Sequence, residues 1–130
     1  NTVYVAALGP LWSKGTQRGL FKTTDGGTSW EKILYVDENT GCSGFAINPA
    51  NPNIMYAGFW SFRRHPWDFV SGGPGSSFFM TTDGGKTWNT IEKGFPEKPW
   101  GRVFVEVNPA DPNVVYLLIE AKKTSFYRSQ

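Results

Sequence analysis

Apolar residues recur along this chain in short alternating runs, cut off by Gly, Pro, Asn and Asp. The runs are "TVYVAAL", "LFKTT", "SWEKILYV", "GFAIN", "IMYAGFW", "FFMTT", "TWNTIEK", "RVFVEVN" and "VVYLLIE". They are rich in β-branched and aromatic residues, as pleated strands require, and none keeps a helical period over a helical length. Several are apolar on both alternating sides: Val3, Val5 and Ala7 on one, Tyr4, Ala6 and Leu8 on the other. A strand with one wet face alternates with polar residues. The pattern therefore predicts antiparallel sheets covered on both faces.

The runs themselves repeat. "NPANPNIMYAGFW" returns as "NPADPNVVYLLIE", aligning Asn48 with Asn108, Pro49 with Pro109, Pro52 with Pro112, Asn53 with Asn113 and Tyr56 with Tyr116. "TTDGGTSW" (23–30) returns as "TTDGGKTW" (81–88). The opening residues match the tail of the same unit, with Tyr4 in the tyrosine position, and "SFYRSQ" matches "LFKTTD" and "FFMTTD". Four antiparallel strands per unit, at a spacing of roughly 50 to 60 residues, are the signature of propeller blades. The predicted fold is all-β, a fragment of a multi-bladed β-propeller. Strands two to four of a first blade fall in 1–36, a complete second blade in 43–92, and strands one to three of a third in 101–130. Terminal sheets of such a piece would expose apolar faces, so the expected partners are further blades of a parent chain or copies of the same segment.

The repeated octapeptide has a local mechanism. It lies between the third and fourth strands of a blade, where the chain reverses. Asp25 and Asp83 accept from backbone N–H groups, and Gly27 and Gly85 supply positive φ. Thr23 and Thr81 brace the turn, and Trp30 and Trp88 anchor it in the apolar layer. One carboxylate per turn falls short of the 6–8 oxygens of a calcium site, and the Gly-Lys-Ser/Thr ending of a phosphate loop is absent. No metal and no cofactor is expected.

The pattern resembles the Asp-box, or BNR repeat, of sialidases, xyloglucan-degrading hydrolases and sortilin-like propellers. "NTVYVAALGPLW", "GLFKTTDGGTSWEKILYVDENTG", "RRHPW", "GGPGS" and "NPNVVYLLIE" together are similar to the bacterial sortilin-N-terminal-like, BNR-repeat proteins, usually labelled glycosyl hydrolases. The resemblance implies a multi-bladed, exported protein, extracellular or periplasmic. It also implies that the box is a structural corner remote from any active site.

Composition narrows the function classes. A formal net charge of +2, with no long basic run, does not point to nucleic acid. The single Cys42 excludes an internal disulfide and reads as a small buried filler rather than a nucleophile. No apolar segment is long enough for a membrane helix. The chemistry is instead concentrated in the long connections opposite the boxes: 9–19, 61–77, and the links "DENTGCSG" and "KGFPEKPWG". Trp12, Trp67 and Trp100 are candidate sugar-stacking platforms, or plugs over the blade ends. Arg63 and Arg64 are candidate donors to an anionic or hydroxyl-rich ligand, or partners for acids such as Asp37, Glu38 and Asp68. Being adjacent on an extended backbone, the two arginines point to opposite sides, which weakens a shared carboxylate clamp. His65 has no second histidine for a metal. A glycosidase needs two flanking carboxyls, and Asp37, Glu38, Asp68, Glu97 and Glu120 form no recognisable pair. The leading expectation is a carbohydrate- or peptide-binding or scaffold domain. The alternative is part of a glycoside hydrolase whose catalytic acids lie mostly outside this segment.

Overall fold

The computed structural model describes residues 1–129. Its regular elements are strands: β1 (Val3–Ala7), β2 (Gly19–Thr23), β3 (Glu31–Leu34), β4 (Thr40–Ile47), β5 (Met55–Arg64), β6 (Phe69–Ser71), β7 (Ser77–Thr81), β8 (Asn89–Thr90), β9 (Val103–Val107), β10 (Val115–Ile119) and β11 (Ser125–Arg128). They form three antiparallel sheets ordered β1-β2-β3, β4-β5-β7-β8 and β11-β10-β9, with β6 pairing on β5. Among the described residues no sheet closes into a barrel. Among the described residues no helix is long and apolar enough to cross a membrane.

Each run of the hydrophobic pattern becomes a strand, but lengths differ from expectation. The fourth strand of the middle sheet shrinks to Asn89–Thr90, since "IEK" leads straight into the Gly94 turn at φ 89°. The stretch 61–77 is only partly a loop. β5 runs on to Arg64 and folds back, pairing Phe62 with Ser71, Arg63 with Val70 and Arg64 with Phe69. The short apolar run "FVS" after the His65–Pro66 reversal supplies this extra strand, so the middle sheet has five strands where four were expected.

The middle sheet is covered on both faces. β4 packs against β1 and β2 on one side and against β9 on the other. Toward the first sheet, Leu20, Cys42, Ala57 and Phe59 form one buried cluster, with Ile33, Phe79 and Trp88 packed against it. Toward the third, Ala46, Phe78, Trp100, Val103, Val105 and Leu117 belong to a second. Two glycines set the approach of the second and third sheets. A methyl at Gly58 would overlap the Val103 carbonyl, and one at Gly44 would lie 3.1 Å from the Val105 nitrogen. The outer faces of the flanking sheets are open: Val3 and Val5 on the first, Phe104, Leu118 and Phe126 on the third, are exposed.

The turns segregate to two ends. At one end Gly84 N–H donates to the Asn53 carbonyl at 3.0 Å, tying the β7–β8 turn to the β4–β5 turn. Asn48 and Asn108 shape their turns by accepting from the backbone two residues on, at 2.9 Å from Ala50 and 3.0 Å from Ala110. The other end carries the long connection 8–18, the β5–β6 hairpin and the links between sheets.

Candidate functional site

The two Thr-x-Asp-Gly-Gly turns have nearly superposable hydrogen bonding. In one, Asp83 Oδ1 accepts from Lys86 N and Thr87 N at 2.9 Å each and from Thr81 Oγ1 at 2.7 Å, while Oδ2 accepts from Thr87 Oγ1 at 2.6 Å. In the other, Asp25 Oδ1 accepts from Ser29 N at 3.0 Å and from Thr23 Oγ1 at 2.7 Å, and Oδ2 from Ser29 Oγ at 2.6 Å. The buried Thr hydroxyls also accept from Gly27 N and Gly85 N at 3.0 and 3.1 Å. The Gly pairs take φ of 77° and 98° in one turn and 76° and 90° in the other, the left-handed region open to glycine. Donors from Ser29 and Thr87, then from Thr23 and Thr81, hold both carboxyls well below the usual carboxylate range. Such groups are saturated acceptors and poor proton-transfer agents. Trp88 is partly buried, with its indole N–H donating to the Gly85 carbonyl at 3.2 Å, whereas Trp30 is exposed because no sheet covers that side.

The opposite end holds a cleft of about 260 Å³, lined by Asp37, Asn39, Ser61, Arg63, Gly72 and Gly73 among others. Each polar group of the wall is held by a hydrogen bond. Asp37 Oδ1 accepts from Asn39 N at 2.7 Å. Ser61 Oγ meets Thr40 Oγ1 at 2.6 Å, and Ser61 N donates to Ser76 Oγ at 2.9 Å. Arg63 donates to Asn39 Oδ1 at 3.1 Å and to the Trp12 carbonyl at 3.3 Å. Its expected acid partners are replaced by two neutral acceptors, because Asn39 rather than Asp37 or Glu38 lies within reach. Behind the cleft wall, Arg18 is fully buried, donating to the carbonyls of Leu8, Pro10 and Ser13 with its guanidinium 4.5 Å from the Phe62 ring centre. Burial, then repulsion from Arg63, lowers the affinity of Arg18 for its proton. Among the described residues neither arginine has an ion-pair partner.

The remaining sequence candidates divide sharply. Trp12 and Trp67 are exposed, at 60% and 80%. Trp67 stands at the β5–β6 hairpin tip with one face against His65, ring centres 5.4 Å apart and planes within 6°. His65 in turn pairs with Asp68 at 2.7 Å, so Asp68 steadies the hairpin rather than lining the cleft. Arg64 turns away from Arg63 and lies over Phe69 at 4.9 Å. Trp100 is 1% exposed and donates to the Pro96 carbonyl at 2.8 Å, so it plugs the core and cannot stack a ligand. Cys42 is buried, its thiol pushed up to about 12 by desolvation. Sequence reasoning missed Arg18, Asn39 and Ser61. Nothing local marks them, since their roles arise where three separate connections meet.

Among the described residues no three His, Cys, Asp or Glu side chains converge to hold a metal ion. No protein-family model matches the chain, and no curated protein matches it.

Proposed function

We propose that this chain is a blade segment of an Asp-box β-propeller of an exported protein, and that its loop end binds a carbohydrate. The observation that carries the binding reading is the cleft beside Arg63. A guanidinium with spare donors, a carboxylate, an amide and a hydroxyl converge there, each held by a hydrogen bond to a neighbour. Exposed indoles stand on the neighbouring connections at Trp12 and Trp67. Fixed polar groups for hydroxyls and flat aromatic faces for ring C–H groups are what sugar recognition needs. The blade reading is supported by three successive antiparallel sheets with repeated turns and by the open apolar faces, which further sheets of the same kind would cover. The glycoside hydrolase alternative needs two carboxyls flanking a bond, and Asp37 is the one acid lining the cleft among the described residues.

A glycan array probed with this chain and with the Arg63→Ala variant tests the reading. Binding that disappears with Arg63→Ala supports it. Failure of all glycans, with binding on a peptide array instead, would replace it with a peptide-binding role. Cleavage of a bound glycan would favour the hydrolase.

A further inference from the structure

Arg18, Ser76 and Thr124 hold the same place in successive sheets, each the residue immediately before β2, β7 or β11. In the third sheet the Thr124 hydroxyl donates to the Ala121 carbonyl at 3.3 Å and closes a short turn. In the middle sheet Ser76 Oγ accepts from Ser61 N at 2.9 Å. A hydroxyl therefore meets the needs of the fold at this place. The first sheet has a fully buried arginine instead, and the connection behind it, 8–18, is long and contains no strand.

The Arg18 guanidinium organises that connection. Nη1 donates to the Leu8 carbonyl at 2.6 Å, and Nη2 to the carbonyls of Pro10 at 2.6 Å and Ser13 at 3.2 Å. The chain wraps the side chain so closely that a methyl on Gly9, at φ 77°, would overlap Arg18 Cγ. The two carbonyls in between go to the end of β5. Leu11 O accepts from Arg64 N at 3.1 Å, and Trp12 O accepts from Arg63 Nη1 at 3.3 Å. Gly15 N donates to the Glu38 carbonyl at 3.0 Å, which joins the same connection to the link that carries Asp37 and Asn39. The Trp12 indole is exposed and takes its position from this backbone.

A buried charge without an acid partner is costly, and an apolar side chain of similar volume serves a core as well or better. Among the described residues Arg18 Nε has no hydrogen-bond partner at all. Charge-assisted bonds to three carbonyls and the Phe62 ring offset part of that cost. What an arginine alone supplies is a rigid planar fork that reaches all three carbonyls at once. We infer that Arg18 is a positioning residue for the loop-end cleft, fixing the 8–18 connection so that the Trp12 indole and the Arg63 guanidinium meet a ligand in one relative arrangement. The inference rests on the carbohydrate reading of that cleft. A ligand then spends little of its binding energy on ordering the connection.

Native-state amide exchange and the glycan array, applied to the whole chain and to Arg18→Met and Arg18→Lys, test the inference. Met keeps the length and the contact with Phe62 but has no donors; Lys keeps the charge but not the fork. In Arg18→Met the amides of Gly15 and Arg64 are expected to lose protection by roughly tenfold or more beyond any change in the amides of β4. Array signals that Arg63→Ala abolishes are expected to fall about fivefold or more in folded Arg18→Met. Arg18→Lys falls between the two, and carries the same readouts if Arg18→Met does not fold. Protection lost evenly across the strands, or kept at Gly15 and Arg64, overturns the inference. So does an array signal that needs Arg63 and ignores Arg18, which leaves the carbohydrate reading standing. An array silent for the unsubstituted chain overturns the carbohydrate reading and, with it, the ligand-positioning role of Arg18.

Discussion

Phe78 and Phe126 occupy the same position in successive sheets, and the first is 4% exposed while the second is 66% exposed. Each stacks on the tyrosine of its own sheet, Phe78 on Tyr56 at 6.1 Å and Phe126 on Tyr116 at 5.6 Å. The local geometry is shared, and the covering sheet makes the difference. Phe78→Ala is expected to cost about 3–5 kcal/mol by denaturant unfolding. Phe126→Ala is expected to cost about 0.5 kcal/mol or less. A large loss at Phe126 would mean that its face is covered in solution.

The corner turns make a stability contribution that depends on acid. Asp25 and Asp83 have folded-state pKa values below those of the unfolded chain. Their contribution is therefore fully present above the unfolded value of about 4 and declines as pH falls through the folded values. Thermal unfolding followed from pH 7 to pH 2 should show the melting temperature dropping below about pH 4. In Asp25→Asn/Asp83→Asn chains that drop should be shallower.

Thr81 is a more sensitive position than its aspartate partner, because its hydroxyl is buried and bridges Asp83 and the Gly85 N–H. Thr81→Val keeps the shape and strands that donor. It is expected to lose about 1–3 kcal/mol in chemical denaturation. Ligand affinity of the folded protein at the other end should remain unchanged.

Arg63→Ala should weaken any ligand held in the loop-end cleft by roughly 10- to 100-fold, the worth of about 1.5–3 kcal/mol for hydrogen bonds to a charged group. Arg64→Ala, pointing the other way over Phe69, should change affinity little. Titration of both variants with a glycan bound by the parent chain would separate them.

Cys42 should be inert. With its thiol pushed up to about 12 inside the cluster of Leu20, Ala57 and Phe59, modification by a thiol reagent at pH 8 should proceed only as fast as the protein opens.

Strands and corners were legible in the sequence because both are local. Short β-branched and aromatic runs bounded by turn residues write β1, β5 and β10 directly, and each Thr-x-Asp-Gly-Gly turn closes its own hydrogen bonds within a few residues. Even the opposed directions of Arg63 and Arg64 follow from the pleat. The cleft was not legible, because it forms where the 37–39 link, the end of β5 and the Gly72–Gly73 turn come together. Trp100 shows the limit most plainly. In the sequence it is one of several loop tryptophans, and only the packing of Phe95 and Val103 around it makes it core.

The close fit at Gly44 and Gly58 has a consequence for the spacing of the sheets. In the third sheet the same two positions are Phe104 and Leu118. A layer laid over that face cannot approach as β9 approaches β4. It has to stand back by roughly the thickness of a side chain, or carry its own small residues opposite them. Exchanging Gly44 and Gly58 for their bulkier counterparts would therefore widen the spacing of the middle and third sheets as well as cost stability.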